Sequence, residues 1–344
     1  MANTKIYHTY TEILSQPDVW KEALAVVVES RQALECIDLT QFDQVVFIGC
    51  GSTYYLSHSA AVTFQQATGI LSRAVPASEL LFSPDAVLDN GRTLLVAVSR
   101  SGNTSETNLA VKQFKEQKRR MVVCITNYGD SELADLADIA LVITAGQEKS
   151  VAQTRSFSSM LVAATAMTAV FSRKFDWLEL MEILPRVGTR LIKQYESDAR
   201  AIGENLTLDR FYFLGSGERY GIACEANLKL KEMTLTHSEP FHFFEFRHGP
   251  MAMVTPTTQI IGLQSVSNQK NENQVLLDMQ ALGAQTFSLA DLGADLVFEC
   301  LLPEPLQNVL YLPVLQLMAY YRSIQKGLDP DKPNNLSTVI KLDF

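Results

Sequence analysis

The sequence predicts an α/β protein built from two doubly wound parallel sheets that are related by an internal repeat. Residues 43–54 read DQVVFIGCGSTY, and residues 209–220 read DRFYFLGSGERY. Each stretch is a continuous apolar strand of the buried kind, followed by Gly-x-Gly and a polar turn that opens a helix. A repeated strand–turn–helix unit is typical of a parallel sheet that is covered by helices on both faces.

Three further apolar stretches recur in the same order in each half of the chain. Those of the first half correspond to those of the second, the pairs being 93–98 with 259–263, 121–126 with 285–289, and 139–143 with 296–300. Four strands repeated in one order, with helical segments between them, predict two similar domains.

The repeat sets the expected domain boundaries. We expect an N-terminal helical arm over 1–34, a first domain over 35–165, a helical linker over 166–199, a second domain over 200–325 and a tail over 326–344. The tail carries Pro330 and Pro333. Because two prolines so close together preclude a regular helix, we expect the tail to lie over the surface of a domain.

Composition narrows the function classes. Of the 344 residues, 47% are apolar and 19% charged, and the net charge is −9, which disfavours nucleic acid and anionic membranes as partners. The five cysteines form no CxxC pair, which is typical of a reduced compartment. The first residues lack the apolar core of a signal peptide, and no apolar run is long enough to span a membrane. We therefore expect a cytoplasmic protein.

The first half carries an unusual set of polar loops where ligands bind in open α/β sheets, beyond the carboxyl ends of strands. Hydroxyls, glycine and helix N-terminal amides together suit a phosphate. For one loop alone, Ser and Thr would be read as helix N-caps; for three loops at one sheet edge, phosphate is favoured. The loops are Gly51-Ser52-Thr53, Ser99-Arg100-Ser101-Gly102-Asn103-Thr104 and Gln153-Thr154-Arg155-Ser156.

The matching loops of the second half have fewer hydroxyls, and Glu218 introduces a carboxylate. Only the first half is therefore expected to bind phosphate. A dinucleotide site is the competing interpretation of Gly-x-Gly, but Tyr54 and Tyr220 stand where a third glycine would be, so the fingerprint is partial.

The second half offers candidates for acid–base chemistry. Glu225, Lys229 and Glu232 lie on one face of the predicted helix. Taken alone, they would form a solvated ladder worth about 0.3–0.5 kcal/mol per pair, but this helix opens from a strand turn where ligand sites gather. His248, in a Gly-Pro turn, is an acid–base candidate, whereas we take His237 and His242 as structural. No metal-ligand spacing is found.

These motifs together resemble the sugar isomerase (SIS) family, specifically the isomerase half of glucosamine-6-phosphate synthases and the SIS-type glucosamine and galactosamine 6-phosphate deaminases. The resemblance covers nearly the whole chain and implies two flavodoxin-like SIS domains. The motifs that carry it, in the family's order, are residues 49–54, 99–104, 151–154, 228–232 and 247–250.

The resemblance implies a role for each candidate. Glu232 would move a proton between C1 and C2 of the sugar, Lys229 would hold a hydroxyl or tune Glu232, and His248 would assist ring opening. This histidine often comes from the partner subunit in the family, which implies a homodimer with its active site at the subunit interface. The sugar 6-phosphate would be bound by Ser52, Thr53, Ser99, Ser101 and Thr104, with Arg100 beside it and Val151 and Gln153 lining the sugar.

Two departures from the synthases direct the functional expectation. We expect no glutaminase domain, because no cysteine precedes Cys36 to serve as its nucleophile, and Thr338 stands where the synthase tail has a lysine, with Lys341 three residues further on. We therefore expect a deaminase acting on glucosamine 6-phosphate without metal or cofactor. The alternatives are an aldose–ketose isomerase, a fructosamine-6-phosphate deglycase and, from another class, a non-catalytic sugar-phosphate sensor.

Overall fold

The computed structural model describes residues 7–88, 91–116 and 121–338, which form two compact units. We call them by their sheets. The first-sheet unit comprises the described residues of 16–148 and 155–185, with 337–338. The second-sheet unit comprises 7–15, 149–154 and 186–336.

The first-sheet unit contains five parallel strands in the order β2-β1-β3-β4-β5. Helices cover both faces of this sheet. On one face, Phe47 packs against Phe64, which in turn contacts Phe171; on the other, Val111 and Phe114 join the strands in one buried cluster. The strands are β1 (Gln44–Gly49), β2 (Ser72–Pro76), β3 (Thr93–Ser99), β4 (Met121–Thr126) and β5 (Ile139–Val142).

The second-sheet unit repeats this topology. Its strands run parallel in the order β10-β9-β8-β6-β7, so each sheet has the order 2-1-3-4-5 when counted along its own segment. Tyr212, Phe243 and Met279 lie in the buried cluster on one face. The strands are β6 (Arg210–Gly215), β7 (His237–Phe241), β8 (Thr258–Leu263), β9 (Gln285–Ala290) and β10 (Leu296–Val297).

The helices are numbered in chain order, and α1 with most of α11 and all later ones belong to the second-sheet unit. Short 3-10 turns lie between them. The helices are α1 (His8–Leu14), α2 (Gln16–Glu29), α3 (Arg31–Glu35), α4 (Ser52–Thr68), α5 (Ala77–Phe82), α6 (Pro84–Val87), α7 (Ser105–Glu116), α8 (Glu132–Leu136), α9 (Arg155–Phe171), α10 (Asp176–Met181), α11 (Leu184–Glu204), α12 (Arg219–Thr234), α13 (Gln269–Ala281), α14 (Glu304–Gln307) and α15 (Leu312–Gln325).

The prediction of two doubly wound parallel sheets is confirmed, with one strand in each sheet that sequence patterns missed. These strands are β2 and β7, which lie at sheet edges. Neither is a buried apolar run: all of β2 is half-buried, and β7 contains Pro240 and begins with the exposed His237. Edge strands tolerate proline and polar residues, so their sequences resemble loops. Conversely, β10 is shorter than the predicted 296–300, because Glu299 turns the chain with φ of 47°.

Of the arm expected over 1–34, the described residues 7–34 carry α1, α2 and most of α3, and the structure divides them between the two units at Ser15 and Gln16. The helical stretch expected over 166–199 is likewise the end of α9, α10 and most of α11. The described part of the tail is without helix, and its Asp331 carboxylate accepts hydrogen bonds from His8 and Thr9. Among residues 7–88, 91–116 and 121–338 we find no helix whose length and hydropathy would suit a bilayer span.

Candidate active site

The strand order reverses between β1 and β3, so the loops that follow these two strands begin side by side at the carboxyl edge of the first sheet. In flavodoxin-like sheets this switch point is where phosphate-bearing ligands bind. Two of the three polar loops predicted from sequence therefore meet in one place. We call this region the first switch point.

The loop after β1 is shaped by two glycines. A Cβ atom at Gly49 would lie 2.5 Å from the carbonyl carbon of Thr53, and Gly51 has φ of 56°, so both positions require glycine. The Thr53 hydroxyl accepts from the Cys50 amide at 2.9 Å and donates to the Cys50 carbonyl at 3.0 Å. Thr53 therefore stabilises the turn itself, while the buried Ser52 opens α4 at the sheet edge.

The loop after β3 forms a cradle of hydroxyls and amides. The buried Ser99 hydroxyl accepts from the amide of Gly102 at 3.1 Å and lies 3.4 Å from the Thr104 hydroxyl. The Ser101 hydroxyl accepts from the Asn103 amide at 3.2 Å. Gly102 has φ of 63°, and α7 begins directly after Thr104. Successive amides at a helix N-terminus favour an anion.

Arg100 is buried, and its charge is already balanced within the first-sheet unit. One guanidinium nitrogen lies 3.7 Å from Glu148, whose side chain is fully buried, and another donates to the carbonyl of Thr338 at 3.2 Å. The residue at the position of the synthase tail lysine thus contributes a main-chain carbonyl to this loop. Lys341 lies outside the described residues.

The remaining candidates belong to the second-sheet unit. Residues 149–154, which carry the half-buried Val151 and Gln153, group with that unit. So do Lys229, Glu232 and His248. The structure thus brings Ser52, Thr53, Ser99, Arg100, Ser101 and Thr104 together in one unit, and the sugar-lining and acid–base candidates in the other.

Three charged side chains of α12 form a buried row, contrary to the solvated ladder that their spacing alone suggests. Lys229 is 1% exposed and lies between Glu225, at 3.3 Å and fully buried, and Glu232, at 2.5 Å. Glu232 is 18% exposed and so is the accessible end of the row. A buried cation between two carboxylates fixes both in position, at a desolvation cost that solvated pairs do not carry.

The His248 side chain is exposed at the end of the short 3-10 turn Glu245–Arg247. In the described part of the chain it makes no hydrogen bond with Glu232 or Lys229. His242, taken as structural, stacks on Tyr220 with ring centroids 4.0 Å apart, and burial lowers its pKa. A lowered pKa keeps His242 neutral near pH 7, which fits a structural role.

The loops after β6 and β8 form the corresponding second switch point. The Arg219 guanidinium contacts Glu218 at 2.9 Å and Glu304 at 3.0 Å. The Glu272 carboxylate accepts from the Ser265 amide at 2.7 Å, and Glu304 accepts from the Ser267 amide at 2.7 Å. The backbone amides that could bind a ligand are thus already hydrogen-bonded to carboxylates of the same chain. Burial also raises the pKa of Glu272.

Sequence reasoning missed the partners of both switch points. Glu148, Glu272 and Glu304 stand in no motif; Glu272 lies only seven residues from Ser265, whereas Glu304 lies 37 residues from Ser267. One signal was available: the spacing that pairs the two Gly-x-Gly turns also pairs Ser99 with Ser265. Similar hydroxyls in both loops could have directed attention to acidic residues as the difference.

Comparison with known proteins places these features in a family. The model of the SIS domain matches residues 38–170 and 208–297. Among curated proteins, the glutamine–fructose-6-phosphate aminotransferases [isomerizing] of Pyrococcus horikoshii and Pseudomonas aeruginosa are 29% and 30% identical, over 96% of this chain and 57% and 58% of their own lengths. The chain therefore spans a little more than half of these relatives.

Solved structures show the same fold. The glucosamine-6-phosphate deaminase of Thermotoga maritima matches with a TM-score of 0.81 and 28% identity, covering 97% of this chain and all of that one. The tagatose-6-phosphate ketose/aldose isomerase of Escherichia coli matches with a TM-score of 0.85 and 22% identity, covering 96% of each chain. At that identity, the second match supports the fold alone.

Proposed function

This chain belongs to the SIS domain family, and we propose that it is an amino-sugar-phosphate deaminase that converts glucosamine 6-phosphate and water into fructose 6-phosphate and ammonia. The family supports a phosphosugar enzyme of the isomerase type. The similarity to the T. maritima deaminase along that whole chain supports the finer assignment.

The observation that carries the proposal is the row on α12. Lys229 is buried between two carboxylates, and only Glu232 retains access to solvent. A carboxylate that is fixed by a buried cation and open on one side is suited to act as a general base. A protein that only senses sugar phosphates has no need of this costly arrangement.

The chemistry follows from the position of the amino group. In the open-chain aldose, the C1 carbonyl acidifies the C2 proton, which Glu232 removes. Returning a proton to C1 gives an imine at C2, and water hydrolyses that imine to the ketose and ammonia. A positioned general base typically contributes about 10²–10⁴-fold to such a step. His248 would assist ring opening, and Lys229 would hold Glu232.

The phosphate would be bound at the first switch point by the amides and hydroxyls of the β3 loop, with Ser52, Ser99, Ser101 and Thr104 contributing. Thr53 would act through the turn it stabilises, since its hydroxyl is engaged with Cys50. Arg100 would add a positive charge by turning from Glu148 towards the phosphate. Val151 and Gln153 would line the sugar.

We also propose a homodimer and a cytoplasmic location. The exposed His248, which makes no hydrogen bond with Glu232 within the described chain, supports a role in the site of a partner subunit. Sedimentation of the purified protein tests the dimer directly. A monomer at micromolar concentration would contradict it.

The function is tested by measuring ammonia release from glucosamine 6-phosphate and galactosamine 6-phosphate, for the wild type and for Glu232→Gln. We expect release by the wild type and its loss in the variant. Fructose 6-phosphate interconversion without ammonia would instead identify an isomerase, and release of an amino acid from a fructosamine 6-phosphate would identify a deglycase. Binding of sugar phosphate without any turnover would favour the alternative of a non-catalytic sensor.

A further inference from the structure

We infer that helix α1 positions the two loops of the second-sheet unit that would contact the sugar, with Glu12 and Asp331 as the positioning residues. The inference rests on the proposed function for what those loops bind. The loops are residues 149–154, which carry Val151 and Gln153, and the tail segment 328–334, which lies beside Glu232.

The first loop is held by the Glu12 carboxylate. Glu12 is 3% exposed, and it accepts from the amide of Lys149 at 2.6 Å and from the amide of Ser150 at 3.3 Å. The Ser150 hydroxyl donates to the same carboxylate. Residues 149–154 join the second-sheet unit although the residues on either side, 148 and 155, group with the first. The hydrogen bonds to Glu12 are among the contacts that join this short segment to the second-sheet unit.

The second loop is held by the Asp331 carboxylate, which caps α1 from the far end of the chain. It accepts from the amides of His8 at 3.0 Å and Thr9 at 2.8 Å, and from the Thr9 hydroxyl at 2.7 Å. These amides belong to the first turn of α1, where no partner within the helix exists and a negative charge is favoured. The tail residues on either side of Asp331 line a small cavity together with Glu232.

The two loops are also joined to each other. The amide of Val151 donates to the main-chain carbonyl of Asp331 at 3.0 Å. These hydrogen bonds link Glu12, the 149–151 segment, Asp331 and Thr9 in a ring that closes through the backbone of α1 between Thr9 and Glu12. Charge-assisted hydrogen bonds are the stronger kind, so this ring sets the position of Val151 relative to the tail.

Helix α1 is itself fixed to the body of the unit. The Tyr10 hydroxyl donates to Glu196 of α11 at 2.6 Å, and the Tyr321 hydroxyl of α15 donates to the same carboxylate oxygen at 2.5 Å. The ring of Tyr10 also packs against Tyr320, with centroids 5.1 Å apart. Helix α1 therefore has contacts with α11 and α15 that do not involve either loop.

The test compares Glu12→Gln with Glu22→Gln, a matched control whose carboxylate accepts from the Ala145 amide in the first-sheet unit. A glutamine at position 12 offers one acceptor oxygen where the carboxylate offers two. We expect Glu12→Gln to raise the Kd for glucosamine 6-phosphate about tenfold and to leave the Kd for inorganic phosphate within about twofold, whereas Glu22→Gln changes neither. Hydrogen exchange of the amides 149–151 should accelerate only in Glu12→Gln.

Unchanged exchange at 149–151, an equal weakening of both ligands, or the same effect in Glu22→Gln would overturn the inference. If Glu12→Gln fails to fold, Thr9→Val removes one hydroxyl donor to Asp331 and should shift the two Kd values in the same unequal way. The exchange and Kd measurements need no turnover. A wild type that releases no ammonia while these shifts are present would refute the deaminase and leave the positioning role standing.

Discussion

The two switch points have the same backbone arrangement but differ in what their glutamate side chains contact. At both, the glycine that ends the strand, Gly49 or Gly215, lets the helix approach the strand closely, and a second glycine, Gly51 or Gly217, adopts a positive φ. Ser99 accepts from the Gly102 amide, and Ser265 accepts from the corresponding amide of Asn268. The hydroxyl geometry is thus repeated, and it cannot by itself explain why only one half would bind phosphate.

The difference lies in one pair of glutamates at matching positions. Glu272 accepts from the amide and hydroxyl of Ser265, whereas Glu106 makes no such contact with Ser99, and its Oε2 atom is buried without a hydrogen-bond partner among the described residues. Glu304 also contacts the second switch point: its carboxylate accepts from the Ser267 amide and pairs with Arg219. We therefore propose that the second switch point holds the protein's own carboxylates where the first would hold phosphate.

The second half is distinguished by the buried charged row of α12, and replacing the proposed base there should have the largest effect on activity. We expect Glu232→Gln to lower kcat by about 10²–10⁴-fold with little change in the Kd for inorganic phosphate, because the loops proposed to bind phosphate belong to the other half. Steady-state ammonia release and phosphate binding measure the two quantities. An equal loss of kcat and of phosphate affinity would contradict the assignment of the base and of phosphate binding to different halves.

Removing the buried cation of the same helix should have the largest effect on stability. Lys229→Met leaves Glu225 and Glu232 without their shared partner, and breaking a buried ion pair from one side costs about 3–5 kcal/mol. Urea unfolding measures the free energy of unfolding. The control is Lys21→Met, which breaks an exposed pair with Asp18 and should change stability by less than about 1 kcal/mol.

A smaller effect is expected from serines at matching positions. Ser101→Ala should raise the KM for glucosamine 6-phosphate about tenfold through a lost donor to the phosphate, and its counterpart Ser267→Ala should leave KM unchanged. Both side chains lie in the loop after the third strand of their sheet. A similar rise in both variants would mean that the second switch point also binds the ligand.

The smallest effect is a difference in pH dependence. Burial raises the pKa of Glu272 above its ordinary 4.5, so the folded protein binds this proton more tightly than the unfolded chain. The contribution to stability is complete below pH 4.5 and is lost as the pH rises through the raised value. Between pH 4 and pH 7, the stability of Glu272→Gln should therefore increase relative to that of the wild type. Parallel curves from thermal unfolding would contradict this account of Glu272.

The sequence contained most of the fold because buried parallel strands are continuous apolar runs. The residues of β4, for example, are all apolar except the last, and its bounds were predicted as the structure has them. Strands β2 and β7 were not predicted, because edge strands do not require a continuous apolar run. The first helix of the arm belongs to the second-sheet unit, and its Glu12 and Asp331 contacts join residues more than one hundred positions apart, which no local sequence pattern reveals.

The candidate site was less predictable. Hydroxyl-rich loops at strand ends were visible, since their position follows from the topology. The sequence did not show whether each side chain is available to a ligand. The Thr53 hydroxyl is hydrogen-bonded to Cys50, and the Arg100 guanidinium is paired with Glu148. Burial of Lys229 was likewise invisible, because a spacing of four residues is the same on a solvated and on a packed helix face.

The division of labour between the halves is tested most directly by calorimetric titration of glucosamine 6-phosphate into matched double variants. We predict one binding site per chain in the wild type, lost or weakened at least about a hundredfold in Ser99→Ala/Ser101→Ala, and retained in Ser265→Ala/Ser267→Ala. Retained binding in the first variant and loss in the second would contradict the assignment of the phosphate to the first switch point.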